Sequence, residues 1–181
     1  LFNFNKRNTL IFAAGIFSII YYFMLPVSIF RGLPMGDTPI FEYFGYAMTK
    51  GELPYKDLFD HKGIFIFLTH YLGYTILEEK GIKLIFSAFI FIFIYFSLKI
   101  IKLFTNSKLS ILFSIIITFF SYTYISELGL NVETLALPFI TFSLYIYLNY
   151  FINNKITKLN IILLGISFFV VFFTRANMIS I

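Results

Sequence analysis

The chain has 181 residues, 59% of them hydrophobic and 13% charged, where soluble domains run roughly 45–50% apolar and about 25% charged. This excludes an ordinary soluble domain and predicts an integral membrane protein. The net charge of +5 does not point to nucleic acid, because the basic residues gather at the ends of apolar runs. With no cysteine and two histidines, a disulfide framework, a thiolate metal site and a His-rich metal site are excluded too.

Lys6 and Arg7 precede the apolar run Thr9–Phe30, long enough at about 1.5 Å per residue to cross a hydrocarbon core of about 30 Å. No small-residue cleavage site follows it, so it reads as a first transmembrane helix rather than a signal peptide, with Pro26 near its exit. Next comes a loop, Gly36–Gly63, that holds eight charged side chains and a histidine. Within it, Ile40, Phe41, Phe44, Ala47 and Met48 follow helical spacing over Thr38–Lys50. Thr38 is the expected N-cap of that helix and Pro39 its first turn. A Gly/Pro turn, Gly51–Pro54, and a short acidic–basic segment complete the loop.

The stretch Ile64–Leu77 is apolar but short for a span and carries His70 and two tyrosines. It is expected to lie in the interface as a second amphipathic helix. Further spans are expected at Ile82–Leu103, Leu109–Ser126, Val132–Ile152 and Leu159–Thr174.

Charge then fixes the orientation. With the N-terminus inside, the inner segments hold Lys6, Arg7, Lys99, Lys102, Lys108, Lys155 and Lys158 and no acid. All nine acids fall outside, seven between Arg31 and Lys83, then Glu127 and Glu133. The expected fold is therefore an all-α membrane protein of about five spans whose long first outer loop carries two interfacial helices. It forms one transmembrane unit over residues 1–181, with residues 31–80 as the working loop. The start at Leu1 and the stop soon after Arg175 mark it as the expected N-terminal part of a longer protein.

The loop pattern D-x-P…Y…G-x-x-PY-x-D-x-x-D-H-K-G, running from Asp37 to Gly63, resembles that of the GT-C glycosyltransferases. The likeness is to the branch of dolichyl-phosphate-mannose protein mannosyltransferases and aminoarabinose transferases. Glu133-Thr134-Leu135 and Phe173-Thr174-Arg175 match the rhythm of that family, whereas Gly63-Ile64 stands where it often has a proline. The resemblance implies transfer of a sugar from a polyprenyl-phosphate donor to a lipid, protein or cell-envelope glycan acceptor. The site would face outward in a prokaryotic plasma membrane, with the N-terminus cytoplasmic. It places Asp37 as the catalytic acidic residue and Lys62 as the cation for the carrier phosphate.

Each of these residues also has a plainer reading. Asp37 suits a base that takes a proton from the attacking acceptor, or a carboxylate favoured by a helix dipole. Lys62 suits a leaving phosphate, or a snorkelling lysine paired with Asp60. Asp60 would orient Lys62 or cap the following helix. Glu133 and Arg175, at the outer ends of two spans, are substrate-binding candidates or an ordinary dipole partner and an interfacial anchor. Asp57 and Tyr55 read as a turn, Glu42 as a solvated residue, and Glu78-Glu79-Lys80 as a solvated turn. No cofactor is expected, although Asp37, Asp57 and Asp60 are of a type that suits a hard divalent metal. The rival functions are a transporter or flippase subunit for a lipid-linked substrate, and a non-enzymatic scaffold.

Overall fold

The computed structural model of the chain describes residues 6–25, 37–125, 130 and 132–175. Pro26 and Glu127 lie outside that set. The described regular structure is all helical, in six helices: α1 (Lys6–Met24), α2 (Thr38–Thr49), α3 (Ile64–Phe104), α4 (Lys108–Ile125), α5 (Val132–Asn153) and α6 (Lys158–Thr174). Two of them, α3 and α5, are long and apolar enough to cross a membrane.

The long helix α3 organises the rest. It is broken at Leu77 (φ −147°, ψ 33°) and Glu78 (φ 53°, ψ −140°), where the chain folds back on itself. The two stretches expected as an interfacial helix and a span are thus the two arms of one element. Glycine makes the fold-back possible. A Cβ on Gly73 would lie 2.6 Å from the Ile82 Cα, and one on Gly81 would collide with the Gly73 carbonyl oxygen. The arms therefore meet backbone to backbone, closer than any side chain permits.

On the second arm, Ile82, Phe86, Ile90, Ile94 and Leu98 recur every four residues and are all buried, the apolar stripe of a helix that packs along its whole length. The other helices pack around it. Ser18 of α1 donates to the Ser87 carbonyl (2.5 Å), Phe93 meets Tyr122 of α4 at 4.9 Å between ring centroids, and Phe96 meets Phe142 of α5 at 4.9 Å.

The first arm receives α2. Phe44 stacks on Phe67 at 5.0 Å, and a Cβ on Gly45 would stand 2.8 Å from the His70 carbonyl oxygen. The N-cap of α2 is Asp37, and Pro39 sits within the first turn. Thr38, expected as the cap, is instead inside the helix, and its hydroxyl accepts from the Leu130 backbone N–H at 2.9 Å. That bond ties the start of α2 to the approach to α5.

Candidate functional site

Asp37 occupies the cap position of α2, yet its side chain makes no cap hydrogen bond. Only its backbone carbonyl serves the helix, accepting from Ile40 and Phe41. The carboxylate turns away instead and receives the Lys62 ammonium at 2.9 Å. Twenty-five residues separate the two in sequence.

Lys62 is held from several sides. Its side chain is 8% exposed while that of Asp37 is 51% exposed, so the lysine is walled in and its partner opens outward. Asp60 Oδ1 lies 3.6 Å from the ammonium and accepts from the Lys62 backbone N–H at 2.9 Å. The ammonium also sits 5.5 Å above the Phe41 ring. Asp60 thus orients Lys62, while the cap of α3 falls to Gly63.

The backbone beneath Lys62 is fixed as well. Tyr55 donates its phenol to the Lys62 carbonyl at 2.8 Å and does so from a left-handed backbone (φ 65°), an uncommon state for a bulky residue. Burial, and then the Asp60 carboxylate, raises the Tyr55 phenol further above its ordinary range. Asp57 closes the turn that shapes this segment: its carboxylate accepts from the Leu53 N–H at 3.0 Å. It is engaged away from Asp37 and Asp60, and no group of three or more metal-binding side chains gathers among the described residues. His61 stays exposed, with Nδ1 3.3 Å from Asp60.

The far end of the chain joins the same corner. Gly63 donates its N–H to the Thr174 carbonyl at 2.9 Å, and any Cβ there would overlap the Phe173 carbonyl. Next to Thr174, Arg175 reaches Glu133 of α5 at 2.7 Å. Asp37, Asp60, Lys62, Glu133 and Arg175 therefore belong to one end of the bundle, linked by the Thr38–Leu130 and Gly63–Thr174 hydrogen bonds. There Glu133 and Arg175 pair with each other, not with Lys62.

Glu42 contradicts its sequence reading. Expected in solvent, it is 2% exposed, and its Oε2 has no hydrogen-bond partner among the described residues. Burial raises its carboxyl to about 7, Glu79 adding to the effect and Lys83 opposing it. The missed signal is the spacing of Thr38, Glu42 and Gly45, a second stripe at i, i+4 and i+7. Gly45 lets α2 press so close to His70 that this stripe is buried along with the apolar one. Sequence reasoning also left out Lys83, which is buried with its ammonium 5.1 Å above the Tyr22 ring. It missed His70 too: fully buried, with Nδ1 2.9 Å from the Ile66 carbonyl oxygen.

Residues 8–180 match the competence-induced protein Ccs4 N-terminal domain. The chain belongs to that family. The match runs over nearly all of the chain and corrects the likeness to GT-C glycosyltransferases, whose specific part was one charged loop with two short segments beside it. A loop that folds an aspartate onto a lysine needs only a few fixed residues, so its pattern is a poor guide to descent. No curated protein and no solved structure matches the chain. Within the Ccs4 N-terminal domain, the acid–lysine corner is then a feature to be judged by its own geometry.

Proposed function

We propose that this domain transfers a sugar from a polyprenyl-phosphate donor to an acceptor at the membrane surface, with Asp37 and Lys62 as the working pair. The observation that carries the reading is the Asp37 side chain, which forgoes its cap bond for an enclosed ammonium while staying half open to the outside. An exposed carboxylate beside a buried, oriented cation suits a reaction that moves a proton and releases a phosphate. The family name records an induction, not a chemistry; the residues support the proton and phosphate roles, and a polyprenyl-phosphate sugar is proposed as a donor that calls on both at a membrane surface.

In the proposed step, the donor phosphate takes the place of Asp37 at the Lys62 ammonium. The freed carboxylate accepts the proton of the acceptor hydroxyl or amine as that atom bonds to the anomeric carbon. The bond from that carbon to the phosphate oxygen breaks, and its electron pair leaves with the polyprenyl phosphate, held by Lys62. A single displacement of this kind inverts the anomeric centre. Asp60 and Tyr55 hold Lys62 in place throughout, while Arg175 and Glu133 flank the donor.

The same reading sets the domain in a prokaryotic plasma membrane with α1, the second arm of α3, α4, α5 and α6 as spans. The N-terminus is inside, and α2 with the first arm of α3 lies along the outer interface. The two short connections on the inner side support this orientation, since the stretches Lys99–Lys108 and Lys155–Lys158 hold five lysines and no acid.

One observation favours the second reading, a flippase or transporter for a lipid-linked substrate. The break in α3 lies beside the buried Glu42 and Lys83, and transporters commonly set ionisable groups at broken helices. Labelled polyprenyl-phosphate sugar offered to the complete protein in vesicles separates the two. Transfer that is lost in Lys62→Ala supports the enzyme. Movement of donor across the bilayer without transfer supports the transporter, and full function in Lys62→Ala would sink the proposal in favour of a scaffold.

A further inference from the structure

Away from the charged corner, α5 and α6 leave an apolar groove of about 600 Å³ between them, within the range of ligand pockets. Ile140, Leu144 and Tyr150 line it from α5, Leu164 and Phe168 from α6, and Ile156 from the connecting loop. From Ile140 to Tyr150 it follows α5 for ten residues, roughly 15 Å at the helical rise. It is open along one side, and Leu144, Tyr150, Ile156 and Phe168 are exposed in it.

The loop end of this groove is cationic. Lys155 and Lys158 flank Ile156, both are exposed, and neither joins an ion pair among the described residues. The sequence offers them no neighbouring acid, since none occurs after Glu133. Lys158 also opens α6, whose first turn holds no acid, so its charge adds to the positive end of the helix dipole instead of offsetting it. An apolar channel that reaches Ile156, with two lysines that join no ion pair among the described residues and a helix N-terminus beside it in the chain, is complementary to a chain with an anionic head.

We propose that the α5–α6 groove holds an acyl chain of an anionic phospholipid, whose phosphate lies against Lys155, Lys158 and the first turn of α6. This rests on the membrane placement above but not on the transfer reaction. Each lysine near an anionic headgroup is worth roughly a fivefold preference. The site would then select anionic lipid over zwitterionic lipid by about an order of magnitude or more.

The absence of tryptophan from this chain gives a clean test. Leu144→Trp, or Tyr147→Trp should that variant not fold, places a fluorophore in the groove. Ile162→Trp serves as a reference outside the groove on α6. The complete protein, with any tryptophan beyond residues 1–181 changed to Phe, is reconstituted with chain-brominated phosphatidylglycerol or phosphatidylcholine. The groove position is expected to be quenched at severalfold lower phosphatidylglycerol than phosphatidylcholine, and Lys155→Gln with Lys158→Gln to erase that difference. The reference position should respond equally to both lipids. Equal quenching at the groove by the two lipids overturns the proposal, and no quenching there while Ile162→Trp is quenched overturns it too, by showing that another part of the protein covers the groove. No quenching at either position overturns the membrane placement as well.

Discussion

Two carboxylates on α2, five residues apart in sequence, meet opposite fates. Asp37 lies at the helix start with half its side chain outside and a lysine at 2.9 Å. Glu42, roughly 7.5 Å further along the axis, is buried, with Glu79 and Lys83 acting on its charge and one oxygen without a hydrogen-bond partner among the described residues. The first carboxylate has a close counter-ion and an open side, as an exchangeable group needs. The second is desolvated and so tends to take up a proton. What separates them is the closeness of α2 to the first arm of α3, set by Gly45 on His70.

Four substitutions test the contrast between these two carboxylates and the corner that holds them. The largest effect is expected from Gly63→Ala, because a Cβ there overlaps the Phe173 backbone. Relief requires pulling the loop away from α6 and losing the Gly63–Thr174 bond. The cost should be on the order of 3–5 kcal/mol, seen as failure to accumulate or a large drop in thermal midpoint.

Next comes Glu42→Gln. The folded-state carboxyl is raised above its ordinary 4.5 to about 7, so the folded form binds the proton more tightly than the unfolded form. Its contribution to stability is fully present below about pH 4.5 and is lost as pH rises through about 7. The wild-type thermal midpoint should fall between pH 5 and 8, and Glu42→Gln should flatten that slope, recovering on the order of 2 kcal/mol at the alkaline end. Equal slopes in the two proteins would mean that Glu42 is charged and well paired.

Tyr55→Phe removes the hydrogen bond under Lys62 and should cost about 1 kcal/mol, with a larger effect on donor retention than on the thermal midpoint. The smallest effect is expected at Glu133–Arg175. That pair is about a third exposed, and such pairs contribute about 0–1 kcal/mol. The charge-swapped double variant Glu133→Arg with Arg175→Glu should keep its thermal midpoint within a degree or two.

The helices of this fold are legible in the sequence because each apolar run is long and its ends carry charges or breakers. Even the division of α3 is visible, in Glu78-Glu79-Lys80-Gly81. The fold-back is not, because it depends on Gly73 and Gly81 meeting in space eight residues apart. The charged loop stands out as a cluster, but composition does not say that Asp37 faces Lys62 while Asp57 accepts from the Leu53 backbone N–H. Glu42 and Lys83 are the instructive misses. A charged residue beside an apolar stripe reads as solvated, and only the width of the buried face, set by a glycine contact, decides otherwise.

Asp37 is the residue on which the proposed transfer depends. In Asp37→Asn, Lys62 keeps Asp60 at 3.6 Å and the half-exposed side chain keeps its shape, so the fold should be unaffected. Sugar transfer from labelled polyprenyl-phosphate donors by the complete protein, measured beside Asp37→Asn at matched amounts, is the decisive comparison. Loss of a general base predicts a fall of about a hundred-fold to ten-thousand-fold. Equal transfer by the two proteins would contradict the assignment of the base.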